Sequence, residues 1–129
     1  MLTRTTDSNR GRGRKILVAE DDYLIVSDLV QWLERTGFHT IGPVANLQDA
    51  LFEIEHEPRL QGALLDINLG GEWSFPVADA LREKGIPIVF TTGYDRDVIP
   101  DRFNDVEIFR KPIDPITIAE TLVRLGEAS

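Results

Sequence analysis

Leu17-Val18-Ala19-Glu20-Asp21-Asp22 places three acids directly behind an apolar run. With Ile16 in front, the lead-in reads as a short buried strand, apolar without alternation. Carboxylates at the tip of such a strand lie close together and only partly in water. Two charges about 5 Å apart repel by roughly 3 kcal/mol at an effective dielectric near 20. An acid left without a partner there takes up a proton instead. The tip of this strand calls for a cation.

Working outward, the chain repeats one rhythm. The strand at 15–20 precedes a helical stretch from Tyr23 to about Thr36, with Ile25, Leu29, Trp32, Leu33 and Thr36 on one face and Gly37 as its stop. "FHTIGPV" reads as a strand, followed by Asn46 as the cap of a helix over "LQDALFEIEH" that Pro58 closes. "GALLDI" (62–67) is a third strand and "NLGGEWS" a loop, after which Ser74 caps a helix from Phe75 to Lys84. "IPIVFTT" and "VEIFRK" are strands four and five, and Asp114-Pro115 opens a last helix to about Leu125. Alternating β and α with strands apolar throughout predicts a parallel sheet covered on both faces. Between strands four and five, "GYDRDVIPDRFND" has Pro100 in its middle and too few apolar residues for an amphipathic helix. A short helical turn or irregular loop is expected there.

Composition narrows the function. At 129 residues the chain is one domain by size, with 42% hydrophobic residues. The absence of cysteine excludes disulfides, thiolate nucleophiles and cysteine zinc sites. His39 and His56 stand far apart without ligand-type neighbours and read as ordinary packed or surface residues. No apolar run approaches the roughly 18 residues that span a bilayer, and the N-terminus lacks a signal-peptide core, so no membrane association and a cytoplasmic location are expected. Residues 1–14 are rich in Gly, Ser and Arg and are expected to be a disordered basic lead-in to a domain over 15–129. Residues 16–129 carry 9 basic and 21 acidic residues, a net of −12, which argues against direct nucleic-acid binding.

In an open parallel α/β sheet, ligands bind beyond the carboxyl ends of the strands. Those ends carry Glu20-Asp21, Asp66, Thr91-Thr92 and Lys111-Pro112. Acids for a divalent ion, a carboxylate acceptor, a hydroxyl and an ammonium together compose a metal and phosphoryl site.

"ILVAEDD", "LLDINL", "IVFTTGY" and "FRKP" resemble the receiver domain of bacterial two-component response regulators, over about residues 15 to 125. The resemblance implies a flavodoxin-like, doubly wound, five-stranded parallel sheet in the order 2-1-3-4-5. It implies Asp66 as phosphoacceptor and Mg²⁺ held by Asp21, Asp66 and the backbone carbonyl of Asn68, with Glu20 acting through water. Thr92 and Lys111 would bind the phosphoryl group, Thr91 would turn into the sheet packing, and Lys111-Pro112 would be cis. Tyr94, two residues past Thr92, is a candidate shield for the phosphoryl group. The implied partners are a histidine kinase or histidine phosphotransfer protein as donor and a protein as reader of the signal. The implied role is phosphoacceptor rather than enzyme.

"PIVFTTGYD" is similar to a stand-alone subgroup with a Phe-x-Thr-Gly-like motif after strand four, though Tyr94 follows Gly93 directly. Ile108 stands where many receivers carry a switching Tyr or Phe, so the expected switch is an ordering of residues 93–105 within an output face over 93–110. Other readings are a phosphate sink, a phosphorylation-independent binding module, or a phosphatase of the haloacid dehalogenase type. The last wants a second acid two residues after the nucleophile, where this chain has Asn68.

Overall fold

The computed structural model describes residues 10–128. Strand β1 (Lys15–Ala19) is followed by helix α1 (Tyr23–Arg35), β2 (His39–Val44), α2 (Leu47–His56) and β3 (Leu60–Asp66). A small pair, β4 (Asn68–Leu69) and β5 (Glu72–Trp73), leads into α3 (Phe75–Glu83) and β6 (Ile88–Thr92). Single 3₁₀ turns at Arg96–Val98 and Asp101–Phe103 precede β7 (Glu107–Arg110) and α4 (Pro115–Ala128). The main sheet is parallel, in the order β2-β1-β3-β6-β7. That is the doubly wound, flavodoxin-like arrangement, with the reversal of strand order falling between β1 and β3.

Both faces of the sheet are buried, which accounts for strands without polar alternation. Leu17, Ala19, Ala63, Leu65, Ile88 and Phe90 pack on one side with α2 and α3. Ile16, Val18, Leu64 and Val89 face Leu29 and Leu33 of α1 and Ile118 and Leu122 of α4 on the other. The α1 stripe is centred on Val26, Leu29 and Leu33, with Ile25 and Trp32 half-buried at its margins. Asp22 caps α1 by accepting from the N–H groups of Leu24 and Ile25, and Asn46 caps α2 through Asp49 N–H at 2.8 Å.

The structure departs from the sequence reading in four places. The segment "NLGGEWS" is a two-stranded hairpin, because Gly70 (φ 62°) and Gly71 (φ 88°) supply the two positive φ angles that a tight two-residue turn requires. Ser74 is no side-chain cap: its fully buried hydroxyl instead donates to the Asp66 carbonyl oxygen at 2.5 Å. Strand β2 carries a bulge, its pairing with β1 slipping between Leu17↔Ile41 and Ala19↔Val44. Residues 10–14, expected in a disordered tail, form a turn tied down by Gly11 N–H on Thr36 O (2.7 Å) and Gly13 N–H on Gly37 O (2.8 Å). A β-carbon on Gly11 would come within 2.5 Å of Phe38 N, so only glycine fits that approach. The rest of the expected tail, residues 1–9, lies outside the described residues.

The connection between β6 and β7 has two unequal halves. Every residue from Gly93 to Val98 is exposed, whereas Ile99, Phe103 and Val106 enter the core. Phe103 is fully buried, stacked on Phe75 at 5.8 Å and edge-on to Phe90 at 5.5 Å. The guanidinium groups of Arg82 (5.3 Å) and Arg102 (4.7 Å) cover its ring. Arg102 is itself held by a two-pronged ion pair with Asp79, both bonds 3.0 Å. Phe103→Ala should therefore lower stability by about 3–5 kcal/mol, read as a shifted urea midpoint, as for any large buried ring. A loss below about 1 kcal/mol would show that this ring does not anchor the connection.

Candidate functional site

The carboxyl ends of β1, β3 and β6 and the residue after β7 meet at one cleft. Asp21, Asp22, Asp66, Asn68, Gly93, Tyr94 and Lys111 line it. Carboxylate oxygens of Glu20, Asp21 and Asp66 lie within 4.8 Å of one another. Such a trio can hold a cation, and the cation already present is an ammonium. Lys111 Nζ stands 2.7 Å from Asp66 Oδ2 and 3.2 Å from Glu20. The Lys111–Pro112 peptide bond, which follows β7, is cis.

Burial decides the electrostatics. Glu20 is 3% exposed and Asp66 4%. Burial pushes the Glu20 carboxyl from the ordinary 4.5 up to about 7, and the nearby charge of Asp66 adds to the rise. The Asp22 N–H, donating to Glu20 at 2.9 Å, and the charge of Lys111 pull the other way and do not cancel it. Burial also works against the Lys111 ammonium, but the hydrogen bonds and charges of Asp66 and Glu20 outweigh it and hold its pKa above the usual lysine value. Three carboxylates facing one ammonium leave negative charge in excess, as the sequence of the β1 tip predicts.

Each expected residue has a place. Asp66 is oriented by three contacts: Lys111 on Oδ2, Asn68 N–H on Oδ1 at 3.1 Å, and Ser74 on its carbonyl. Asp21 is exposed and accepts from Gly70 N–H at 3.2 Å, so the hairpin turn touches the acid cluster. Thr92 is fully buried beneath the cleft rather than open to it, and its Oγ1 accepts from Tyr94 N–H at 2.7 Å. Thr91, also buried, pairs with Asp66 across the ladder. Tyr94 stands at the rim, 45% exposed, its ring in an edge-to-face pair with Trp73 at 5.2 Å between centroids. His39 and His56 lie away from the cleft lining. Sequence reasoning missed Ser74, Gly70 and Trp73. The Gly-Gly pair was the only local signal that the three share one hairpin.

This fold, with acids and a lysine at the carboxyl ends of its strands, is the arrangement of a signalling receiver domain. The family model for the response regulator receiver domain matches residues 16–122, and the chain belongs to that family. Among solved structures it is similar to SdrG from Sphingomonas melonis Fr1, a solution structure 36% identical with a TM-score of 0.72, covering 85% of this chain and 95% of that one. It is 33% identical over 112 residues to the sensory transduction protein LytT of Bacillus cereus, covering 84% of this chain and 45% of that protein. It is also 28% identical over 120 residues to the transcriptional regulatory protein PdtaR of Mycobacterium tuberculosis, covering 92% of this chain and 58% of that one. The chain thus spans about half the length of these curated relatives.

The raised Glu20 pKa gives a signed pH effect. Folding favours protonated Glu20, so its contribution is complete below pH 4.5 and is lost as pH climbs through about 7. At roughly 1.4 kcal/mol per unit, the loss is up to about 3 kcal/mol in protein stripped of divalent ions. Urea midpoints of wild type and Glu20→Gln, measured with chelator from pH 5 to 8, should diverge in favour of the variant as pH rises. A constant difference would mean that Glu20 titrates normally.

Proposed function

We propose that the protein is a phosphoacceptor in a two-component phosphorelay. Asp66 takes a phosphoryl group from a phosphohistidine on a histidine kinase or histidine phosphotransfer protein, and a protein partner reads the result. The observation that carries this reading is the Lys111 ammonium seated on the Asp66 carboxylate at 2.7 Å. A buried carboxylate at a strand end, oriented on both oxygens and open to a cleft, supports a nucleophilic role for Asp66. The phosphorus–nitrogen bond of the donor breaks, a phosphorus–oxygen bond to Asp66 forms, and the imidazole leaves.

The residues present suit Mg²⁺. The donor set is entirely hard oxygen with room for water, and the excess negative charge of Glu20, Asp21 and Asp66 favours a divalent ion. Asp21, Asp66 and the Asn68 carbonyl would hold it directly, and Glu20 through water. When bound, the ion supplies charge neutralisation between the acceptor and the phosphoryl oxygens. Lys111 transfers its hydrogen bond from Asp66 Oδ2 to a phosphoryl oxygen. The Thr92 hydroxyl accepts from Tyr94 N–H at 2.7 Å and donates to the Tyr94 carbonyl over a long 3.5 Å, a weak bond that its proton can exchange for one to a phosphoryl oxygen. Drawing Thr92 toward the phosphoryl group pulls on Tyr94, and so on the exposed run 93–98.

The reading makes the protein a switch that assists only its own phosphorylation and dephosphorylation, acting in the cytoplasm through protein contacts. No helix among the described residues is long and apolar enough to cross a membrane. A beryllofluoride-activated conformation is named for SdrG in a second solved structure, which aligns with this chain at 38% identity. That likeness, with Asp66 held by Lys111, supports Asp66 as the acceptor.

Incubation with acetyl phosphate and Mg²⁺ should add one phosphoryl group to the intact mass of the wild type and none to Asp66→Asn. An equal gain in the variant would move the acceptor elsewhere. Asp21→Asn should weaken Mg²⁺ binding at least about tenfold, since one ligand charge is lost in a partly desolvated site. Unchanged affinity by titration would remove Asp21 from the ligand set.

A further inference from the structure

We propose that Trp73 is a positioning residue that sets how long Asp66 stays phosphorylated, by holding Tyr94 over the mouth of the cleft. The inference rests on the phosphoacceptor reading of Asp66 and concerns the regulation of that site. Trp73 and Tyr94 are both large, aromatic and nearly half exposed, at 44% and 45%, and they lie on separate elements flanking Asp66. Their rings meet edge to face, with centroids 5.2 Å apart and planes 66° apart. Tyr94 lines the cleft beside Asp66 and Lys111, whereas Trp73 backs it from outside.

Trp73 is a fixed post. Its ring stacks on Phe75 at 5.9 Å, and Phe75 stacks in turn on the fully buried Phe103 at 5.8 Å. Its backbone is paired with Asn68, whose own N–H holds Asp66 Oδ1. Tyr94 has no such footing: the residues from 93 to 98 are all exposed, and its main-chain tether is Thr92 Oγ1. The ring that can swing therefore rests against the ring that cannot. With the phosphoryl group in place, the closed pair keeps water from the phosphorus. Hydrolysis needs one water to add its oxygen to phosphorus while the phosphorus–oxygen bond to Asp66 breaks. The Asp66 carboxylate is regenerated, and the water's protons leave with orthophosphate. Opening of Tyr94 admits that water, and the aromatic contact opposes the opening.

The test is decay of the phosphorylated full chain after removal of acetyl phosphate, followed by intact mass in Mg²⁺ buffer. Trp73→Ala should hydrolyse about two- to tenfold faster, the range set by an aromatic pair, and Trp73→Phe should return most of the lifetime. Tyr94→Ala should accelerate decay comparably, and the double variant should decay no faster than Tyr94→Ala alone. That non-additivity is a readout that loosened packing would not give. If Trp73→Ala fails to fold, Trp73→Leu, which keeps an apolar contact with Phe75 and lacks the aromatic ring, should show the same acceleration. A lifetime unchanged in both variants overturns the proposal, as does a full Trp73→Ala effect in the Tyr94→Ala background. No phosphoryl gain in the wild type would instead overturn the reading of Asp66 itself, and this inference with it.

Discussion

The Lys111 ammonium, 2.7 Å from Asp66 and 3.2 Å from Glu20, is the contact on which the rest of the site depends. Without it, two nearly buried carboxylates and the exposed Asp21 would crowd one strand end with nothing to offset them. The fold makes the contact possible by bringing β1, β3 and the end of β7 to the same edge of one parallel sheet. A single ammonium is still too little charge for three acids. Burial raises the Glu20 pKa and the Asp66 charge adds to the rise, and the divalent ion proposed for the site would offset that excess.

A second constraint runs through the aromatic side chains. Trp73, Phe75, Phe90 and Phe103 form a connected set from the surface to the core, and Arg82 and Arg102 close it at the far end. This set replaces what a longer helix between β6 and β7 would supply. It fixes residues 99–106 against α3 and leaves 93–98 outside the anchored region. The freedom of the connection is thus confined to six exposed residues that begin next to Thr92. Asp95 within that run pairs with Arg110 at 2.9 Å, an exposed contact worth at most about 1 kcal/mol and easily exchanged.

The sheet and the acid cluster were legible in the sequence because both depend on local signals. Apolar runs ending in acids, the caps at Asp22 and Asn46, and the lysine before Pro112 each report their own surroundings. What escaped depends on distant packing. A lone Phe103 in a polar stretch gives no sign that two rings and two guanidinium groups wait for it. Ser74 looked like a helix cap because serine at that position usually is one, whereas its bond to the Asp66 carbonyl depends on the hairpin folding back. The turn at 10–14 looked disordered by composition, and its order comes from a glycine small enough to touch the end of α1.

If Asp66 is the phosphoacceptor, a change of charge there should be felt at residues 93–98 and stop at Ile99. Amide hydrogen exchange of the full chain, with Mg²⁺ alone and with Mg²⁺ plus beryllofluoride, tests it directly. The predicted result is altered protection across 93–98 and in the hairpin at 68–73, with 99–106 unchanged. Altered protection in 99–106 while 93–98 stays flat would contradict the account.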